Sequence, residues 1–217
     1  MLDALVIDVV VPARDHAATL PAVLRGLPVR DVRSIVVVDR ASRDRTAEVA
    51  RDSGALVLRE PTGGYGAACQ RAQAHFSSLP RVPDIVVFVP GDRPAAAACV
   101  PAVIAPIALG GFELVLGTDA SKHNISERVV IGLIDTVYRH RWSGVGPVRV
   151  LKFPALVALG MRDRGDGWDV EMLVRAAKLG LTCDEVALPA EDGDRASGRS
   201  RVSPRALLHI LRHATMR

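Results

Sequence analysis

Three segments constrain this chain more than any other: Val6-Ile-Asp-Val-Val-Val11, Ser34-Ile-Val-Val-Val-Asp39 and Asp84-Ile-Val-Val-Phe-Val89. Each is β-branched and apolar at successive positions, so a strand made from it hides both of its faces. That pattern belongs to strands of a parallel sheet covered by helices on each side. Strands are predicted at Leu5–Val11, Ile35–Asp39, Leu56–Leu58, Ile85–Val89 and Leu114–Gly117. Helices are predicted between them, at Ala17–Gly26, Arg45–Gly54, Gly66–Phe76 and Cys99–Leu109. The strict alternation predicts an α/β fold with a mostly parallel, Rossmann-like sheet. Gly26, Gly54 and Gly110 stand where helix ends favour positive φ.

Beyond Gly117 the rhythm changes. A polar loop, Thr118 to Glu127, precedes a predicted helix running to about Trp142. A strand at Val148–Lys152, a helix at Trp168–Gly180 and a strand at Thr182–Ala187 follow. Then come a polar loop, Glu191–Ser203, and a last helix from Pro204. With 217 residues, no repeat and no low-complexity linker, the expected organisation is a single domain of two halves, 1–117 and 118–217, the second carrying the C-terminal helix.

Composition narrows the partners. Hydrophobic residues make up 49% of the chain, enough for a large core, and the formal charge of +4 favours anionic ligands. An aromatic fraction of 4% supplies few stacking platforms, and no nucleic-acid motif accompanies the basic charge. Cys69, Cys99 and Cys183 form no CxxC pair and read as small buried hydrophobes in a reducing compartment. No apolar stretch is long enough to span a membrane. A cytoplasmic protein is expected, with at most peripheral contact at the inner membrane face through the last helix. The oligomeric state is not legible.

Open parallel sheets bind ligands at the carboxyl ends of their strands, near the switch in strand order. The unusual residues sit there: Pro12–His16, Asp39–Asp44 and Pro90–Arg93. Read in order, these segments resemble family 2 glycosyltransferases of the GT-A fold, most closely the branch with dolichyl- and polyprenyl-phosphate sugar synthases. Val9-Val-Val-Pro-Ala-Arg-Asp-His16 resembles that family's opening strand and turn. Val36-Val-Val-Asp-Arg-Ala-Ser-Arg-Asp-Arg-Thr46 resembles its VVDDGSTDGT segment, and Gly63-Gly-Tyr-Gly-Ala-Ala68 its GYGAA stretch. Asp84 to Asp92 resembles the strand leading to the DxD motif, and Glu113–Gly117 the strand after it. Gly146-Pro-Val-Arg149 resembles GPFR. Gly165-Asp-Gly-Trp-Asp-Val-Glu-Met172 resembles GYGWxVEM, and Ser197–Ser203 the basic GxSKxS loop.

The resemblance implies a glycosyltransferase acting on a nucleoside diphosphate sugar, by inversion, with a polyprenyl phosphate or a small molecule as acceptor. It implies a nucleotide-sugar site from Pro12, Ala13, Asp39, Arg40, Gly64, Tyr65, Gly91, Asp92 and Arg93. Asp39 would accept from the base or ribose, and the glycines beside Tyr65 would admit phosphate to a helix start. Asp44 reads as a cap for the helix near Arg45. Glu171 is the implied base or acceptor-binding acid, with Asp169 near it, and Arg149, Arg199, Ser200 and Arg201 would hold phosphate. His123 falls near an acceptor-side histidine of some members.

Two departures weigh on the chemistry. The second acid after the second strand is Arg40, and the DxD is reduced to Pro90-Gly91-Asp92, so Asp92 alone would ligate Mg²⁺ or Mn²⁺. Either Asp92 holds a weakened metal site, or Arg40, Arg43 and Arg93 offset the diphosphate charge without metal. The alternative function is a catalytically impaired relative kept as a nucleotide-binding or regulatory module. A nucleotidyltransferase is disfavoured, because Val11–Arg14 lacks the glycine-rich basic loop such enzymes carry after their first strand.

Overall fold

The computed structural model describes residues 5–61, 64–119, 131–132, 134–136 and 142–189. Elements follow in the order β1 (Ile7–Ala13), α1 (Leu20–Gly26), β2 (Ser34–Asp39), α2 (Thr46–Asp52), β3 (Leu56–Arg59), α3 (Tyr65–Ser77) and β4 (Ile85–Phe88). Then come α4 (Pro94–Ala98), α5 (Val100–Gly110), β5 (Leu114–Thr118), β6 (Val148–Lys152), α6 (Phe153–Leu159), α7 (Trp168–Leu179) and β7 (Cys183–Ala187). The strands form one seven-stranded sheet in the order β3-β2-β1-β4-β6-β5-β7. All neighbours are parallel except β6, which runs against both β4 and β5. This is the helix-flanked, mostly parallel α/β sheet that the apolar runs predict.

Period two explains those runs. Val10, Val36, Val38, Val86 and Phe88 point into one core, with α3, α6 and α7. Val9, Val11, Val37, Ile85, Val87 and Val89 point into the other, with α1, α4 and α5. Successive residues of one strand thus feed opposite layers, and neither face tolerates a polar side chain. Asp8 is a polar exception, fully buried near the amino end of β1, where it accepts from Arg33 and from the Ser34 hydroxyl at 2.8 Å.

Several expected boundaries move. The first helix starts at Leu20 rather than Ala17, because loop donors find other acceptors: His16 N–H gives to Thr46 Oγ1 at 2.8 Å and Ala17 N–H to Asp44 Oδ2 at 2.9 Å. Gly26 ends its helix without positive φ; Gly111, not Gly110, takes the left-handed cap at φ +80°. Two short helices, α4 and α6, were not expected. Each starts with proline in its first turn, where the missing N–H costs nothing. The predicted helix ending near Trp142 falls largely outside the described residues, as do Gly63, His123, the 191–203 loop with Arg199, Ser200 and Arg201, and the last helix. No described helix is long and apolar enough to cross a membrane.

Candidate functional site

The sheet order reverses around β1: β2 and β3 lie on one side, β4 on the other. Pairing between β1 and β4 stops at Val10 and Phe88, while pairing with β2 continues through Pro12–Val38 and Ala13–Asp39. The switch-point rule puts the ligand crevice here, over the carboxyl ends of β1, β2 and β4. The turn is drawn close: Thr19 Oγ1 donates to the Gly91 carbonyl at 3.0 Å, and a Cβ on Gly91 would stand 2.8 Å from His16 Nδ1. A side chain there would have to displace His16, and the turn sets half-buried Asp92 and Arg93 at the crevice edge.

The loops after β1 and β2 are laced together by side chains. Asp15 N–H gives to Ser42 Oγ at 3.1 Å, and Arg43 N–H gives to Asp15 Oδ1 at 2.7 Å. Asp44 accepts from Ala17 N–H and Thr46 N–H, both at 2.9 Å, and from the Thr46 hydroxyl. It therefore serves the start of α2, as its capping reading anticipates, and also ties the two loops. Slight burial raises the Asp44 carboxyl, but hydrogen bonds from the Thr46 hydroxyl and from Ala17 and Thr46 N–H outweigh it and hold the group below its ordinary value. Asp15 and Ala41 both lie in the left-handed region, at φ +56° and +55°. Ala41 takes this conformation where the resembled segment has glycine, and such strain concentrates at functional loops.

Asp39 is 3% exposed at the end of β2, with Oδ1 accepting Ser42 N–H at 3.1 Å. Arg40 follows it, its guanidinium carbon 5.9 Å from the centroid of the Tyr65 ring, a cation–π geometry. Arg40 Nε is buried with no acceptor in reach, and the buried Tyr65 hydroxyl has only the Cys69 thiol beside it. Burial raises that phenol well above its ordinary value, with Cys69 and Asp169 acting in the same direction, so it stays neutral. Cys69, one turn further along α3, is likewise pushed up by burial.

The glycines at the start of α3 serve differently from the phosphate cradle expected of them. Gly66 N–H donates to the Gly165 carbonyl and Ala67 N–H to the Arg164 carbonyl, both at 2.9 Å. A Cβ at Gly64 would stand 2.7 Å from Gly165 Cα, and one at Gly66 would overlap the Asp163 carbonyl oxygen. Backbone packs on backbone here, and two helix-start donors that a phosphate would use are engaged.

Asp169 and Glu171 separate cleanly. Two residues on a helix lie roughly 200° apart, so they face opposite ways. Asp169 Oδ2 pairs with Arg149 Nη2 at 3.0 Å. Arg149 sits on β6 opposite Phe88, is 2% exposed, and also donates to the Val145 carbonyl at 3.1 Å. A phosphate reaching Arg149 would share it with Asp169. Glu171, by contrast, is 1% exposed and accepts from Arg162 N–H, Asp163 N–H and Arg175 Nε. Its oxygens serve the protein interior, which corrects its reading as the base; motif matching alone could not tell these two acids apart.

Asp92 is the carboxylate that the turn after β4 offers a divalent ion, and no group of three or more His, Cys, Asp or Glu gathers as a metal cage among the described residues. Mg²⁺ is commonly held by one or two carboxylates with substrate phosphates, and Asp92 meets that minimum. A surface groove of about 530 Å³, lined by Pro21, Leu24, Arg33 and Leu56 among others, lies at the opposite, amino end of β2.

No family profile matches this chain. It is 34% identical over 205 residues to an uncharacterized glycosyltransferase of Mycobacterium tuberculosis, covering 91% of this chain and 89% of the relative, and equally to one of Mycobacterium bovis. It is 33% identical over 89 residues to a 4,4'-diaponeurosporenoate glycosyltransferase of Staphylococcus haemolyticus, covering 40% of this chain and 24% of that one. Among solved structures, the glucosyl-3-phosphoglycerate synthase of M. tuberculosis superposes with a TM-score of 0.82 at 23% identity, over 98% of this chain and 82% of the synthase. That synthase has also been solved with Mn²⁺, UDP-glucose and phosphoglyceric acid, and this form superposes with a TM-score of 0.81 at 22% identity, over 98% of this chain and 80% of the synthase.

Proposed function

The chain belongs to the glycosyltransferases, and on that footing we propose that it moves a sugar, with inversion, from a nucleoside diphosphate sugar to a small phosphorylated acid. The observation that carries this reading is the convergence of Asp39, Asp92 and the Arg149–Asp169 pair on one edge of the sheet beside β1, at the carboxyl ends of β2 and β4 and the amino end of antiparallel β6. The small acceptor takes precedence over a polyprenyl phosphate because the solved neighbour that spans 98% of this chain carries phosphoglyceric acid beside UDP-glucose.

In this reading Pro12, Ala13 and Asp39 receive the nucleoside. Arg40, braced on Tyr65, would meet the donor's anionic groups with its guanidinium, whose Nε has no acceptor in the protein. Gly91, Asp92 and Arg93 border the diphosphate. The acceptor hydroxyl oxygen bonds to the anomeric carbon as the bond to the diphosphate oxygen breaks. The electron pair leaves with the nucleoside diphosphate, and the hydroxyl proton passes to a carboxylate, for which Asp169 is our candidate. Asp92 would hold Mg²⁺ or Mn²⁺ together with diphosphate oxygens, and such an ion supplies charge neutralisation to the leaving group. Residues up to 117 then serve the donor and those beyond it the acceptor, with Arg199, Ser200 and Arg201 as acceptor contacts outside the described residues.

Donor binding tests the first half of this. A nucleotide sugar at a hundred times its dissociation constant stabilises by about 2.7 kcal/mol, roughly 5–10 °C for a chain of this size. A shift that grows with Mn²⁺ assigns Asp92 to the metal; a shift indifferent to it assigns the charge to Arg40 and Arg93. No shift with any uridine, guanosine or thymidine diphosphate sugar overturns the reading.

A further inference from the structure

Residues 161–167 form a strap between α6 and α7, tied to both neighbouring helices by its backbone. Glu171 receives Arg162 N–H at 3.0 Å and Asp163 N–H at 2.7 Å. It also receives Arg175 Nε at 2.7 Å, one turn along α7, and Arg175 Nη1 reaches on to the Leu159 carbonyl at 3.0 Å. From the other side, Gln70 Nε2 on α3 donates to the carbonyls of Met161 and Asp163, both at 3.2 Å. Asp163 Oδ1 accepts Gly165 N–H at 2.6 Å and so shapes the turn. The turn presents its carbonyls to Gly66 and Ala67 at the start of α3.

The strap thus joins two residues of the crevice. Tyr65, which braces Arg40, begins the helix the strap clasps; Asp169 stands in the first turn of the helix the strap leads into. A carboxylate with three N–H donors in a buried setting is held strongly, and a shift of its partners moves whatever they carry. We infer that Glu171 is a positioning residue, a latch that acts through the 161–167 strap to fix Tyr65 and Asp169, and that it touches neither sugar nor acceptor. This rests on the transferase reading for its kinetic consequence, but not for its structural one.

The test compares two ways of loosening the strap, Glu171→Gln and the milder Gln70→Leu, with Asp169→Asn, in the full chain. Amide hydrogen exchange is read at Gly66, Ala67, Arg162 and Asp163, and kcat and KM are read across pH. The latch predicts faster exchange at all four amides in both loosened variants. It predicts that both lose kcat/KM with the same division between donor KM and kcat, by about tenfold to a hundredfold for misplaced groups. The pH profile keeps its shape in both and changes only in Asp169→Asn. If Glu171→Gln abolishes kcat with its four amides still protected, while Gln70→Leu turns over like wild type, Glu171 acts on the reacting atoms and the inference fails. Should Glu171→Gln not fold, Gln70→Leu carries both arms alone: protected amides or unchanged kinetics would refute the latch. If the wild-type chain transfers no sugar, the transferase reading falls, and the exchange arm still decides whether the strap is latched.

Discussion

Arg149 and Asp169 meet at 3.0 Å, joining the sheet's one antiparallel strand to the first turn of α7 with both side chains largely out of water. Asp169→Asn keeps the shape but leaves a guanidinium buried without its counter-charge. The expected cost is about 3 kcal/mol, with turnover reduced about a hundredfold if Asp169 takes the acceptor proton. Arg149→Met with Asp169→Leu should recover much of the stability and none of the turnover. Thermal unfolding and initial rates on the three proteins check both halves.

Ala41 occupies φ +55°, a conformation that carries a cost of about 1–2 kcal/mol for a residue with a Cβ. Ala41→Gly should therefore stabilise the protein by about 1 kcal/mol, or roughly 2–4 °C in Tm. A calorimetric scan that shows no gain, or a loss, would contradict the strain.

Asp8 lies near the far end of β1 from the crevice, where it binds Arg33 and Ser34. Asp8→Ala should cost about 3 kcal/mol by orphaning part of that network. Donor affinity in the folded protein should stay within about twofold, because the site is built from the opposite strand ends. Titration of the variant below its melting range separates the two effects.

Asp44 titrates below its ordinary value because its charged form is held by Thr46 and Ala17, which more than offsets slight burial. A depressed carboxylate stabilises the folded state above its unfolded pKa, near 3.9. That contribution disappears as pH falls through the lower folded value. Acid should thus loosen the lacing between the β1 and β2 loops. The carboxyl carbon shift of Asp44, followed by NMR, should show a midpoint below the model-peptide value, and Asp44→Asn should flatten the acid limb of stability.

The central strands were legible because double-sided burial leaves unbroken valine and isoleucine runs, and Val9-Val10-Val11 divides between two cores as such a run must. The short helices α4 and α6 were not, since a five- or seven-residue segment gives too few turns for a periodic signal. Their proline starts were the clue that remained. Crevice residues such as Asp39 and Asp92 could be placed from strand ends alone. The division of labour between Asp169 and Glu171 could not, because it depends on which way α7 turns against β6 and the strap. Gly66 misled for a related reason: a glycine at a helix start admits a phosphate or another backbone equally well, and here the backbone of Asp163–Gly165 arrives.

The most direct test of the account is release of nucleoside diphosphate by the purified chain, measured over a matrix of nucleotide sugars and phosphorylated acceptors that includes UDP-glucose with phosphoglyceric acid, with and without Mn²⁺. A working transferase gives acceptor-dependent release, a glycosylated product of matching mass, and loss of both in Asp169→Asn. Acceptor-independent release, or release that Asp169→Asn leaves untouched, would contradict it.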